Sequence, residues 1–392
     1  MTNRLNRFAL TVLLVTGVVA CESDGGIKFG AVLPETGEAS VYGQSIRKGA
    51  ELALEQVQAE SKQAISLVVV DSGSDPERAA EAADQLFKDG ALALLGGVTS
   101  DEALKMVEVI DKHDRVLLSP SASSPGLTGA SINFFRVFFS DFTEGVKMGN
   151  FATVKANIES VVVIAKQQSY AKGVQDVFRQ EFERQGGVVM ETIELPEGTS
   201  DYSGVMGRVN TLEPKAVFVA GYAQDIANVI VGLRGSGYRG RILTTHAFAS
   251  GEILAQAGDA AEGTLLTLPV FNANSEDEPI KSFTEAFRAK YSEDPDVWAA
   301  HGYDAMMVLY QALPDKMRTA ADFWSGMRQI DDYPGVTGAI RFDEKGDIGR
   351  FPRVFQVSNG NLVDHEAEVD RQLDELRRKL EELQKRKRQA IN

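Results

Sequence analysis

Ile27-Lys28-Phe29-Gly30-Ala31-Val32-Leu33 and Ile65-Ser66-Leu67-Val68-Val69-Val70-Asp71 flank Ser45 to Ala59, where Ile46, Leu52, Leu54 and Val57 recur at helical spacing. The outer runs are nearly continuous in apolar residues, the pattern of strands buried on both faces; the middle segment has the period of a helix. Strand, helix and strand in that order predict a crossover unit of a parallel sheet. The unit repeats at once. Asp75-Pro76 sets an N-cap before a proline at the first helical position and opens a helix to about Lys88. Ala91 to Leu95 reads as a strand, Ser100 to His113 as a helix and Val116 to Leu118 as a short strand.

After Leu118 the alternation starts again. Helices are expected at about Glu144 to Val154, Ala171 to Arg184, Tyr202 to Leu212 and Asp225 to Arg234. Between them, Ser160 to Ala165, Val188 to Ile193, Ala216 to Val219 and Arg241 to Thr245 read as strands. Two successive sets predict an α/β protein with two doubly wound parallel-sheet lobes. The count breaks after Gly263. One strand (Thr264 to Leu268) is followed by a polar loop, helices at about Ile280 to Tyr291, Val297 to Leu313 and Ala320 to Met327, and strands Ala339 to Phe342 and Arg353 to Val357. A late return of the chain to the first lobe accounts for this.

The 392 residues suffice for two domains, and 43% apolar with 25% charged residues is ordinary for a globular chain. A formal net charge of -15 argues against a nucleic-acid or anionic-membrane footprint over the body and is otherwise read as solubility. The N-terminus is a targeting segment: Arg4 and Arg7 precede an apolar stretch from Phe8 to Ala20, shorter than the roughly 20 residues a membrane span needs. It ends in Val18-Val19-Ala20-Cys21, which resembles a bacterial lipobox, with residues 1–20 as signal peptide and Cys21 as the lipidated residue of a spacer over 21–26. The alternative is an ordinary secretory signal with an incidental cysteine. Cys21 is the only cysteine, so no disulfide framework is expected.

Two apparent motifs fail on context. Gly235-Ser236-Gly237-Tyr238-Arg239-Gly240 matches a dinucleotide fingerprint, but a helix precedes it and a strand follows, the reverse of what pyrophosphate binding needs. It reads as a helix stop and turn. Two Ser-x-x-Lys matches, Ser45 to Lys48 and Ser169 to Lys172, lack a Lys-Thr-Gly companion and are placed at helix starts, where serine is common. The four histidines, His113, His246, His301 and His365, lie far apart with no metal-ligand spacing. No catalytic residue, metal or cofactor is expected.

From Ile27 to about Asn361 the chain resembles the type I periplasmic binding proteins of the leucine/isoleucine/valine-binding group. The likeness rests on Gly30 to Gly37, Tyr42-Gly43, Gly49 to Ala53, Asp71 to Pro76, Gly96 to Ser100, Ser119 to Pro125, Gly258 to Gly263, His301 to Ala305 and Phe342 to Asp347, in that order. It implies lobes joined by three crossovers, one over 27–139 and 270–346, the other over 140–269 and 347–363, with ligand captured between them as they close. It also implies ligand contacts. Ser100, at a helix start where free N–H groups favour an anion, matches a serine that holds a ligand carboxylate; Thr99 with Glu102 equally fits a capping box. Ser121 and Ser123 match positions giving a backbone contact and a hydroxyl, or form a plain Ser/Pro turn. Tyr42, Tyr170 and Tyr222 match aromatics lining the cleft, with core packing as the rival. Amino-acid binders of the group carry an acid after the strand that ends here at Thr245, to pair the ligand ammonium. This chain has His246-Ala247-Phe248 there, with Asp225 as a conceivable substitute.

The implied function is an extracytoplasmic, lipid-anchored solute-binding protein. It takes an amino acid, an amide or a small carboxylate and delivers it to an ABC permease. The alternative is a regulatory or scaffold lipoprotein using the same fold to hold a partner such as a cell-wall synthesis enzyme. The resemblance does not cover 364–392. There Val369, Leu373, Leu376, Leu380 and Leu383 alternate spacings of four and three, a coiled-coil seam, before Lys385-Arg386-Lys387-Arg388. The seam predicts a C-terminal heptad helix that self-associates, meets a partner helix or docks on its own lobe; its basic end could also meet anionic lipid.

Overall fold

The computed structural model describes residues 26–315 and 319–391, with side chains as far as Lys379. Cys21 and the signal segment lie outside these residues. Strands β1 (Ile27–Leu33), β2 (Ile65–Asp71), β3 (Ala93–Gly96), β4 (Val116–Ser119) and β5 (Phe134–Arg136) form a five-stranded parallel sheet in the order β2-β1-β3-β4-β5. Helices α1 (Ser40–Glu60), α2 (Pro76–Lys88) and α3 (Ser100–His113) are its crossovers. Alternate residues of β1 serve different cores: Phe29, Ala31 and Leu33 join one apolar cluster and Val32 the other. That two-sided burial is why the strand has no polar face. Asp75 caps α2, accepting from the N–H groups of Glu77 and Arg78.

Helix α4 (Asp141–Asn150) carries the chain across, its last turn widening to a π-helical segment over Phe151–Lys155. A second set follows: β6 (Ser160–Lys166), α5 (Ser169–Arg184), β7 (Val188–Leu195), α6 (Ser203–Leu212), β8 (Ala216–Ala220), α7 (Ala223–Gly235), β9 (Arg241–Thr244), α8 (Gly251–Ala257) and β10 (Leu265–Leu268). The chain then recrosses, and α9 (Ile280–Tyr291), α10 (Val297–Gln311), α11 (Ala320–Arg328) and the hairpin of β11 (Tyr333–Gly335) with β12 (Gly338–Ile340) pack with the first sheet. Helices α1 and α10 touch backbone to backbone: a Cβ on Gly49 would stand 1.9 Å from the Ala299 carbonyl oxygen, and one on Gly302 2.1 Å from that of Ile46. A third crossover returns β13 (Arg353–Ser358) and β14 (Asn361–Asp364) to the second sheet, whose order is β14-β13-β10-β9-β8-β6-β7. Helix α12 (His365–Ile391) ends the chain, and no described helix is long and apolar enough to cross a membrane.

The two parallel-sheet lobes are as expected, with departures in detail. The second sheet adds β13 and β14 at one edge, with β13 antiparallel to β10 and to β14. A strand arriving by a late return need not keep the direction set by helical crossovers. Ser45 is one turn inside α1, where its hydroxyl meets Asp296, and does not start the helix. Strands β5, β11 and β14 and helix α8 went unforeseen; each is too short to show a period. The 235–240 glycines are indeed a stop: α7 ends at Gly235 and Gly237 adopts φ +94 before β9.

Candidate site in the interlobe cleft

The six contact residues singled out from the sequence all line one cavity, together with Val98, Thr99, His246, Ala247 and Trp298. Ser100 begins α3, directly after the β3 turn, and Thr99 and Glu102 complete the capping box around it. The Ser100 hydroxyl accepts the Ser124 N–H at 3.1 Å, which leaves its own proton free to donate. Ser121 follows β4; its hydroxyl donates to the Val98 carbonyl at 2.8 Å, while that of Ser119 donates to Gly97 and accepts from Ala122, both at 2.9 Å. The two loops are thereby sewn together at the carboxyl ends of adjacent parallel strands, the place where open α/β sheets hold ligands.

Beside this shelf lies an ion pair whose arginine is fully buried. Arg136, at the end of β5, reaches Asp347 through Nε (2.7 Å) and Nη2 (2.9 Å). Its Nη1 donates to the carbonyls of Ala122 and Ser124 at 3.4 and 3.1 Å. One side chain at the end of β5 thus holds both Asp347, where the third crossover begins, and the serine loop.

Aromatic rings close the chamber from both lobes. Tyr170, at the start of α5, stacks on Tyr222 at a centroid distance of 5.7 Å and an angle of 8°. Tyr42 on α1 meets Tyr222 at 6.2 Å and Trp298 at 4.7 Å. The Tyr42 hydroxyl donates to the Ala247 carbonyl at 2.7 Å and accepts the Ala223 N–H at 2.8 Å. Burial pushes all three phenols above their ordinary range, so they remain neutral. Further bonds join the lobes: Gln168 to Glu38 at 2.9 Å, the Ser169 N–H to Asp101 at 3.3 Å and the Trp298 indole to the Ala249 carbonyl at 2.8 Å. The chamber is narrow, with about 20 Å³ of free volume, the room of one water. A larger outer hollow of about 530 Å³ adjoins it past Thr99 and Tyr222.

One group escaped the sequence reading. Glu144, buried on α4, accepts from His246 twice, from its N–H at 2.9 Å and from Nδ1 at 2.8 Å, and from the Thr267 hydroxyl at 2.5 Å. Burial works against this carboxylate, yet the His246 ring and these donors hold it below its usual range. Asp141 is treated oppositely. Burial, then repulsion from Glu144, drives it well above the carboxylate range. Neither of its oxygens has a well-aligned hydrogen-bond partner among the described residues, although Glu144 and the Ser123 hydroxyl stand close. The three residues offer ligand-type atoms within 4.8 Å of one another, a grouping the spacing of the histidines gave no hint of. Nδ1 of His246 and both Glu144 oxygens are, however, already engaged with each other or with Thr267. Asp225, the substitute considered for the missing acid, instead pairs with Lys166 at 3.0 Å and with the Tyr202 hydroxyl at 2.7 Å, and it is not on the chamber wall.

Residues 26–361 match the family model described as periplasmic binding protein. The leucine-, isoleucine-, valine-, threonine-, and alanine-binding protein of Pseudomonas aeruginosa is 25% identical over 354 residues, covering 89% of this chain and 94% of that one. A leucine-binding protein from Thermotoga maritima superposes with a TM-score of 0.81 at 28% identity, over 86% of this chain and 97% of its own. A branched-chain amino acid transporter substrate-binding protein from Streptococcus pneumoniae, solved with isoleucine, gives 0.80 at 26% identity over the same shares. A benzoate-bound solute-binding protein of R. palustris shares the fold at 0.79 and 22% identity, over 87% of this chain and 96% of its own. By sequence and by architecture, then, the chain belongs to the periplasmic binding protein family.

Proposed function

We propose that this chain is the exported solute-binding component of an ABC importer, taking a small carboxylate-bearing solute, an amino acid or a related acid, between its lobes by hinge closure. The observation that carries the reading is the single cavity on which Tyr42, Ser100, Ser121, Ser123, Tyr170 and Tyr222 converge from both sheets. Serine hydroxyls and a helix N-terminus suit an anionic head, and the aromatic walls suit a compact apolar body. The family is one of solute-binding proteins rather than enzymes, and relatives are named for amino acids. The lobes that go with this reading are 27–139 with 270–346, and 140–269 with 347–363. Three parts of the assignment rest on sequence: the signal over 1–20, a lipid on Cys21, and a permease as the receiving partner. No observation favours the scaffold alternative.

The test is a thermal-shift screen of amino acids, amides and small carboxylates, followed by small-angle scattering. A true solute at 100 times its Kd adds about 2.7 kcal/mol of stability and makes the particle more compact. No stabilising solute and no compaction across the whole screen removes the reading. For the anchor, Cys21→Ser is expected to leave the membrane fraction.

A further inference from the structure

Asp141, Glu144 and His246 meet where water does not reach, with exposures of 0%, 1% and 3%. Asp141 is the first residue of α4 and Glu144 follows it by three, so both carboxylates project from one side of the helix. His246 opens the short helical turn after β9. Neither carboxylate pairs with a lysine or arginine among the described residues, and both oxygens of Asp141 are buried without a well-aligned hydrogen-bond partner. Arg136 acts on Asp141 from a distance, but its guanidinium is committed to Asp347. Buried charges are paired or coordinate metals. Two carboxylates and a neutral imidazole sum to two negative charges, which one divalent cation cancels.

The geometry suits an ion. The ligand-type atoms of the three residues lie within 4.8 Å of one another. Oε1 of Glu144 is held by the His246 N–H at 2.9 Å and by the Thr267 hydroxyl, while Oε2 meets only the ring, 2.8 Å from Nδ1. Neighbouring ligands of a tetrahedral ion stand roughly 3.4 Å apart, so the ring and Oε2 need part by only about half an ångström to admit one. Oε1 keeps its donors, and these orient the carboxylate as outer-shell partners do. Calcium and magnesium ask for six or more oxygens, whereas imidazole with carboxylates suits a first-row transition ion.

We propose that Asp141, Oε2 of Glu144 and Nδ1 of His246 form a three-ligand site for a divalent transition-metal ion such as zinc. The ion replaces the single bond between Nδ1 and Oε2 and ties the start of α4 to the turn after β9, directly behind the His246 wall of the chamber. The site is independent of which solute the cleft takes.

The experiment is zinc titration of the untagged full chain in detergent, stripped beforehand with a chelator and followed by calorimetry. X-ray absorption at the zinc edge is then recorded on the loaded protein. The parent is expected to take up one ion, in a shell of one imidazole and oxygen donors. Asp141→Asn and Glu144→Gln are each expected to weaken it more than about 100-fold, beyond the loss that disturbing an outer-shell partner causes. His113→Gln removes the histidine that pairs with Asp84 near the surface and is expected to bind zinc as the parent does. Zinc uptake by the parent no stronger than by the two carboxylate variants overturns the proposal. If those variants fail to fold, the spectrum decides: one imidazole with oxygens in both the parent and His113→Gln sustains the site, and any other shell overturns it. Solute binding is measured separately, so failure here leaves the capture reading standing.

Discussion

The hydroxyl of Tyr42 donates to the carbonyl of Ala247 across the cleft at 2.7 Å while accepting the first N–H of α7, that of Ala223, at 2.8 Å. A residue of the first lobe is thereby bonded to two backbone groups of the second, at a place from which water is excluded. Tyr42→Phe removes the hydroxyl and leaves both backbone groups unpaired whenever the lobes are shut, a cost of about 1 to 3 kcal/mol paid by the closed state alone. The variant is expected to bind its solute about 5- to 100-fold more weakly, with unfolding midpoint nearly unchanged, and to scatter as a more open particle without solute. Affinity equal to the parent's would show that this bond does not hold the closed state.

The six residues that the family resemblance picked out line one cavity, which is as far as the sequence reached toward this candidate site. Ser100 follows a glycine turn after β3, Ser121 and Ser123 follow β4, and Tyr170 and Tyr222 stand at the starts of the helices after β6 and β8. What the sequence could not show is what surrounds His246. His246 was visible only as the wrong residue in an acid's place; its partner Glu144 lies 102 residues earlier, and only the crossover through α4 brings them together. Trp298, inside a helix of apolar residues, had every appearance of core. The short elements β5, β11 and β14 failed for a different reason: three or four residues carry no periodicity, and their strand character comes from the neighbours they pair with.

Ser100→Ala tests the anionic end of the chamber. The hydroxyl has two tasks, accepting from the Ser124 N–H and presenting a proton to the cavity. Loss of the first unpairs one backbone donor, and loss of the second removes a charge-assisted bond to a carboxylate. The expected result is a solute affinity lower by about 1 to 3 kcal/mol. Ser100→Thr, which keeps the hydroxyl, is expected to recover most of it. Unaltered affinity in Ser100→Ala, with the fold intact, takes Ser100 out of the site.

Arg136 and Asp347 bear on stability through the crossovers. Two short parallel bonds join the guanidinium and the carboxylate where water does not reach the arginine at all. Breaking such a pair from one side strands the other charge, at about 3 to 5 kcal/mol. Asp347→Asn is expected to lower the urea midpoint accordingly and, since Arg136 also holds the carbonyls of Ala122 and Ser124, to weaken solute binding. Replacing Arg136 and Asp347 together by Met and Leu is expected to be milder than either single change.

Two buried groups near the first-lobe hairpin give opposite acid responses. Burial lifts Asp304 to a pKa of about 6, against the bonds it accepts from Val336 and Thr337. The folded state therefore binds the Asp304 proton more tightly than the unfolded chain, and this contribution to stability is lost as pH rises from 4 to 6, up to about 3 kcal/mol. Burial lowers His301 to a pKa of about 3, so its contribution runs the other way and is lost as pH falls below 6.5. Urea midpoints across pH 4 to 7 separate them. Relative to the parent, Asp304→Asn is expected to gain stability as pH rises, and His301→Gln to gain it as pH falls. Parallel curves for Asp304→Asn and the parent would mean that Asp304 does not titrate in this window.

Helix α12 carries the last prediction. Its first turn is tied to the second lobe: Glu366 pairs with Lys147 at 2.8 Å and accepts the Val354 N–H at 3.1 Å, and His365 sets its edge against Phe151. Beyond that turn the leucine seam leaves the body. Val369, Leu373 and Leu376 are 38%, 46% and 61% exposed, while Leu380 and Leu383 fall beyond the described side chains. Docking on its own lobe, one of the three fates the heptad pattern allowed, is therefore not what the described part of the helix does. Helices in proteins draw most of their stability from packing an apolar face, and a wet apolar seam favours association. A stop after Asp370 keeps the anchoring turn and removes most of the seam. The Cys21→Ser form is expected to sediment as a dimer or larger at tens of micromolar, and the truncated form as a monomer, with solute affinity the same in both because the cleft lies elsewhere. If the untruncated form is already a monomer at that concentration, the seam is not a self-association surface, and a partner helix or a membrane surface is left to cover it.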